Sequence, residues 1–311
     1  MSKRSLLILI LLLAIVDIVA AFWYLAARIE ASGDSRDIFE VRTDSSLTQV
    51  ADTISDMNVP DSFKIAEQHA YYVSKAPAVK GDPTSYFTCV KRIKVRWPKS
   101  VNGSEEIASL HRALLDKMFA PGTVNLEYAI NQELAQPKFT SARELEYKKT
   151  DKRPTPQPAY AYQYDILVYP VMTSMRVLEM GVEKIEYNGI ERSTRNAFVH
   201  YDRATHQLLT WKDVFASDNS VLLGIINTKI DVLNTERSIR LEHAMAMPVE
   251  FQIKAKGISF HFPAGAVAEP NEGPIEIFID YKTLNVVFTS PFKQLVRDNE
   301  GFWDYKRPNF D

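Results

Sequence analysis

Within Lys256–Leu284, reading KGISFHFPAGAVAEPNEGPIEIFIDYKTL, two runs of alternating apolar residues flank a loop of Pro, Gly, Ala and Glu. Ile258, Phe260 and Phe262 alternate with Ser259 and His261, and Ile275, Ile277 and Ile279 with Glu276, Phe278 and Asp280. A two-residue period marks half-buried strands, because successive side chains leave opposite faces of a sheet. Two strands alone are marginal in water, so further strands and helices must cover their apolar face. The stretch therefore predicts an α+β domain, an antiparallel sheet with packed helices, which this pair completes.

The upstream sequence supplies the remaining pieces. Tyr86–Pro98 alternates as a strand, with Ile93, Val95 and Trp97 on one face and Arg92, Lys94 and Arg96 on the other. Asn102-Gly103 marks a turn, and a helix follows from Ser104 with Leu110, Leu114, Leu115, Met118 and Phe119 apolar, ending at Pro121-Gly122. Val124–Gln136 continues helical, and Lys148–Pro158 is a basic, proline-rich loop. Three strands then predict an antiparallel meander, Ala159–Met175, Val177–Tyr187 and Ser193–Tyr201, with Gly181 and Asn188-Gly189 as breaks. A helix over Asn219–Thr235 turns Leu222, Leu223, Ile226 and Ile230 inward, and Pro248–Ile253 begins another strand. Nearer the N-terminus, helical spacing predicts one helix from Ser45 or Ser46 to Met57. A second starts at Asp61-Ser62 with Phe63, Ala66, Ala70 and Val73 inward.

Leu6–Ala27 is almost unbroken apolar sequence, and about 20 such residues suffice to cross a bilayer as a helix. Lys3 and Arg4 precede it, which keeps the short end cytoplasmic and exports the bulk. A cleaved signal peptide with Val19 and Ala21 at the cleavage site is the alternative. The run continues through Phe22, Trp23 and Tyr24, an interfacial aromatic belt, and this favours an uncleaved anchor. Asp17 within the span costs about 2.5–3.5 kcal/mol on insertion scales, so it is either a docking or proton-linked group or a neutral, tolerated one. The expected location is a bacterial inner membrane, single-pass, with the C-terminal bulk in the periplasm or extracellular. Cys89 is the single cysteine, which excludes an intrachain disulfide and a cysteine metal cluster, and a net charge of −2 gives no support for a nucleic-acid partner.

The segment from Phe39 to about Tyr86 resembles the LysM-like module that follows the anchor in YceG-type murein transglycosylases, through FEVRT and SSLTQVADTISDMNVPDSFKIAEQHA. The expected divisions are 1–5 cytoplasmic end, 6–27 anchor, 28–37 stalk, 38–83 small helical or LysM-like module, 84–290 α+β domain and 291–311 aromatic tail. Across the last two thirds, Leu209, Trp211, Asp213 and Phe215 form one pattern ahead of a helix. Phe260, Phe262, Ala268, Gly273, Pro274, Ile277, Tyr281 and Leu284 form a second. Both resemble the extracytoplasmic domain of the RsiV type, found in a lysozyme-sensing anti-sigma factor and beside peptidoglycan deacetylases of the PdaC type. The family's loop aromatics are replaced here by Ala264 and by Glu269-Pro270-Asn271-Glu272. Only Met1–Ser5 stand ahead of the span, and no deacetylase pattern of metal-binding Asp and His follows, so neither a sigma-holding segment nor that catalytic half is expected.

Chemistry-bearing residues are sparse. The sequence has no H-E-x-x-H, nucleophile elbow, P-loop or dinucleotide fingerprint, and His200 with Asp202 is the closest pairing of imidazole and carboxylate. Glu269, Glu272 and Glu276 are a candidate surface for a cationic partner such as a lysozyme-like enzyme. Arg92, Lys94 and Arg96 are a candidate surface for anionic peptidoglycan or headgroups. The resulting expectation is a membrane-anchored extracytoplasmic binding or sensing domain, not an enzyme, with no cofactor or metal. The alternative is a cell-wall-modifying enzyme of transglycosylase or deacetylase class.

Overall fold

The computed structural model describes residues 60–77, 79–137, 147–154, 160–216, 219–236 and 240–309. The apolar run Leu6–Ala27, its stalk and the first expected helix lie outside these residues. No helix among the described residues is long and apolar enough to cross a membrane.

The larger sheet contains β1 (Ser62–Pro77), β2 (Tyr86–Ser100), β3 (Tyr147–Thr150), β4 (Tyr160–Thr173), β5 (Val177–Tyr187), β6 (Arg192–Asp202) and β7 (Gln207–Leu208). Their spatial order is β3-β1-β2-β4-β5-β6-β7. The expected meander is present as β4-β5-β6, all antiparallel. The β2–β4 pair is parallel, which corrects the expectation of a wholly antiparallel sheet. The chain between these strands carries α1 (Ala108–Met118), α2 (Leu126–Ala135) and β3. Such a long crossover is what a parallel pair requires, since a tight turn reverses direction.

Residues 62–77 are a strand and not the expected helix, paired antiparallel with β2 from Phe63↔Pro98 to Val73↔Thr88. The apolar spacing misleads because it mixes odd and even positions. Ala66, Ala70 and Tyr72 alternate on one face of β1 and enter the core, whereas Phe63, at an odd position near the strand's start, joins the same cluster and also meets the Tyr305 ring, 6.3 Å between centroids. Within the expected 38–83 module, Ser62–Pro77 is a strand of the large sheet. The expected basic loop likewise begins as a strand, with Lys148–Thr150 in β3.

Two cores result. On the inner face, Ile93, Val95, Ile166, Val168, Met180 and Val199 meet Leu110, Leu114 and Met118 of α1 and Ile130 and Leu134 of α2. The outer face bears the second core, opened by a bulge at Val171. Pro170 pairs with Met180 but Met172 with Glu179, so the strand gains a residue and Met172 turns outward. Pro170 lies where β4 needs no neighbour on its β2 side, between the end of β2 pairing at Val168 and β11 (Trp303–Asp304), which pairs from Met172.

The strands of Lys256–Leu284 do not complete the large sheet. β8 (Glu250–Lys254), β9 (Gly257–Phe262) and β10 (Ile275–Asp280) form a separate three-stranded sheet in the order β10-β9-β8. Its apolar face packs with Leu222, Ile226 and Ile230 of α4 (Asn219–Glu236) and with Phe292 and Leu295 of α6 (Ser290–Asp298). Alternation specified the buried face but not the partner sheet. Nor is Gly181 a break: it lies inside β5, where an added Cβ would come 2.7 Å from Val171 Cγ2.

Candidate functional site

The residues that carry the family-like patterns are structural. Asp213 closes the start of α3 (Trp211–Val214) by accepting the Thr210 N–H at 2.7 Å and its hydroxyl at 2.5 Å. Trp211 and Phe215 lie 4.5 Å apart and meet Phe251 and Phe260 edge-on or tilted, at 5.5–6.5 Å between centroids. Tyr281 donates its hydroxyl to the Lys254 carbonyl at 2.7 Å, fastening the end of β10 to the turn after β8. Burial pushes the Tyr281 pKa upward, so this donor stays protonated.

The polar arrangement with room for a ligand lies on the outer face of the large sheet. Parallel pairing sets Arg92 of β2 opposite Asp165 of β4. The guanidinium donates twice, Nε to Oδ1 at 2.9 Å and Nη2 to Oδ2 at 2.7 Å. Gln163 donates its amide to the same carboxylate. Asp165 is fully buried, so the charge needs this fork, and the planar guanidinium matches both oxygens at once. One step along the strands, Lys94 faces Glu67 of β1 at 2.9 Å.

The C-terminal segment crosses this face. After β11, the Tyr305 N–H bonds the Val171 carbonyl at 2.8 Å. Arg307 donates Nε and Nη2 to the two Glu183 oxygens at 2.5 and 2.9 Å, and the Asn309 carbonyl accepts from Lys94 Nζ at 2.8 Å. Between this strap and the sheet is a cleft of about 240 Å³. Its lining is mainly polar, from Arg92, Gln163, Asp165, Arg192 and Arg307, with Leu167 and Ile185 almost wholly buried behind them. Arg192, at the start of β6, is exposed and has no ion-pair or hydrogen-bond partner for its side chain among the described residues.

The expected cationic row is thus a paired one. Arg92 and Lys94 are engaged by Asp165 and Glu67, while Arg96 is half-buried, close enough to Tyr305 to act on its charge. Of the three, only Arg92 lines the cleft. Sequence reasoning missed Asp165, Arg192 and Arg307. A carboxylate inside the apolar run YQYDILVYP was the available signal for Asp165, because a buried Asp demands a cation. Arg307 had no such signal.

The acidic candidates belong to the smaller sheet and its loop. Glu269, Glu272 and Glu276 are all exposed, and Glu276 lies 4.0 Å from Lys254. Glu269 lines a hollow of about 580 Å³ with Asp231, Arg240 and His243. His200 and Asp202 share the outer face of β6 but have separate partners. His200 Nδ1 is 3.0 Å from the buried Glu179, whose Oε2 accepts the Ile253 N–H at 2.7 Å, and its ring stacks on Phe251 at 4.3 Å. Asp202 instead accepts from Arg176 Nε and Nη2 at 3.3 and 2.9 Å. Burial works to raise the Asp202 pKa, but the Arg176 and Ala204 hydrogen bonds outweigh it and hold the pKa below the usual carboxylate value. No group of three or more His, Cys, Asp or Glu suited to a metal occurs among the described residues.

No family model and no curated protein matches the chain. Among solved structures it is similar to a member of the DUF3298 family from Bacteroides fragilis, with a TM-score of 0.50 and 14% identity over 76% of this chain and 98% of that one. A DUF3298 family protein from Pseudomonas aeruginosa aligns over the same shares at 12% identity, with a TM-score of 0.48. At 14% identity the likeness is one of fold: the chain has a mixed α+β architecture similar to that of a bacterial DUF3298 protein.

Proposed function

We propose that this chain is a membrane-anchored extracytoplasmic binding domain of the RsiV type, which recognises a cell-envelope component on the outer face of its large sheet. The observation that carries the proposal is the polar cleft beneath the C-terminal strap, lined by Arg92, Gln163, Asp165 and Arg307 and with Arg192 unengaged at its rim. A small ligand that carries a carboxylate and further polar groups complements such a cleft, because an arginine fork binds carboxylate bidentately. Peptide-bearing fragments of peptidoglycan have this chemistry. The Leu6–Ala27 run supports the tether, and the family-like patterns at Leu209–Phe215 and Phe260–Leu284 support the RsiV-type assignment.

The test is calorimetry of the full-length protein in detergent against muropeptides and, separately, lysozyme. Muropeptide binding is expected, and Arg192→Glu should weaken it about tenfold or more, the size of a lost charge-assisted pair. Binding of neither probe would remove the proposal. Binding of lysozyme alone, insensitive to Arg192, would move recognition away from this cleft.

A further inference from the structure

A second surface, formed by the two short helical elements that follow the smaller sheet, has its own chemistry. α5 (Tyr281–Leu284) and α6 enclose a groove of about 260 Å³. Tyr281, Phe288 and Val296 provide its apolar surface, and Lys282, Lys293 and Arg297 its cations. Lys293 and Arg297 are four residues apart and so share one face of α6. None of the three cationic side chains has an anionic partner among the described residues. Nearby carboxylates are engaged elsewhere: Asp280 accepts the Thr283 N–H and hydroxyl at 2.9 Å each, and Asp298 faces Arg176 and Gln294 at 3.4 and 2.9 Å. Beside the groove, in the α5–α6 connection, Val286 is 70% exposed.

We infer that this groove docks the domain onto an anionic phospholipid surface, seating a lipid phosphate among Lys282, Lys293 and Arg297 while Val286 enters the headgroup boundary. Three uncompensated cations select a negative occupant, and the volume suits a headgroup phosphate more than a folded partner. An exposed apolar residue in the connection between two cation-bearing elements is a pattern that favours an interface with water on one side and lipid on the other. The inference rests on the membrane tether proposed above, since a tether holds the groove at high effective concentration near its own bilayer. It does not require the cleft on the large sheet to bind anything.

The experiment uses the full-length protein reconstituted into vesicles of phosphatidylcholine alone or mixed with phosphatidylglycerol. Flotation with the neutral vesicles reports the tether. Docking is read separately by a polarity-sensitive dye on Val286→Cys, since the native Cys89 is buried. The expected result is a blue-shifted emission in anionic vesicles only. It should disappear in about 1 M salt, where the screening length is about 3 Å. The Lys282→Glu/Lys293→Glu/Arg297→Glu variant should lose it as well, each charge removed lowering the docked population roughly fivefold. Circular dichroism matching the parent shows that the variant is folded, and the same dye on Val249→Cys should keep its water-like emission. Equal emission in both vesicle types, or a shift at both dye positions, would overturn the inference. So would a Val286 response to glycerol phosphate with none to anionic lipid, which would assign the groove to a soluble anion.

Discussion

Asp165 bears the strictest electrostatic demand on the outer face, because its carboxylate is fully buried and held by the Arg92 fork. Asp165→Ala takes both carboxylate oxygens away from that guanidinium, which is three-quarters buried. We expect a loss of about 3 kcal/mol in unfolding free energy from urea titration, with Asp165→Asn losing less because it keeps one acceptor. An unchanged midpoint for Asp165→Ala would show that the pair contributes nothing net. This carboxylate was readable in the sequence as an anomaly within an apolar strand, whereas its partner was not. Arg92 and Asp165 are 73 positions apart, and alternation places both on outward faces without saying which strands are neighbours. His200 and Asp202 show the converse, since sequence proximity put them on one face while their nearest charged neighbours are different, Glu179 for His200 and Arg176 for Asp202.

Strands were legible wherever one face is apolar and the other polar, as in β2, β9 and β10. β1 was not, because its apolar residues fall at both odd and even positions, as Phe63, Ala66, Ala70 and Val73 do, and that mixture imitates a helical period. Gly257, at the first position of β9, was equally silent. It pairs with Asp280, and a Cβ there would fall 2.1 Å from the Ile279 carbonyl oxygen and 2.7 Å from Asp280 Cα. Both atoms are backbone and cannot rotate away, so Gly257→Ala must part β9 from β10. A loss of about 3 kcal/mol is expected in thermal or urea unfolding, at the upper end of overpacking costs. Gly181→Ala should cost less, because it meets only a methyl of the Val171 side chain, which can shift. Equal effects of the two substitutions would contradict the packing described for β9.

The dependence of folding on pH belongs to the whole molecule, since it sums groups that bridge its two sheets. Burial lowers the His261 pKa, against the pull of Glu276, and the ring packs 4.8 Å from Phe198 of the large sheet. A base whose folded pKa is lowered contributes full stability above its unfolded value, near 6.5, and loses it as pH falls toward the folded value. Asp202, also lowered, contributes above its unfolded value near 3.8 and is lost below that. Urea midpoints should therefore fall first below about pH 6.5, with a limiting slope of about 1.4 kcal/mol per pH unit per proton. His261→Gln should flatten that first step and leave the acid one, and a first step of full size in that variant would assign it elsewhere. The amino-acid sequence by itself determined the α+β class, most strand and helix positions and the faces they bury, because those follow from a local period. Only the tertiary structure decided that β2 and β4 run parallel, that the last strands form their own sheet, and that Arg307 meets Glu183 across 124 positions. A period of two specifies which side of a strand is buried, whereas the choice of neighbour is made by long-range packing and by buried charges that must find a partner.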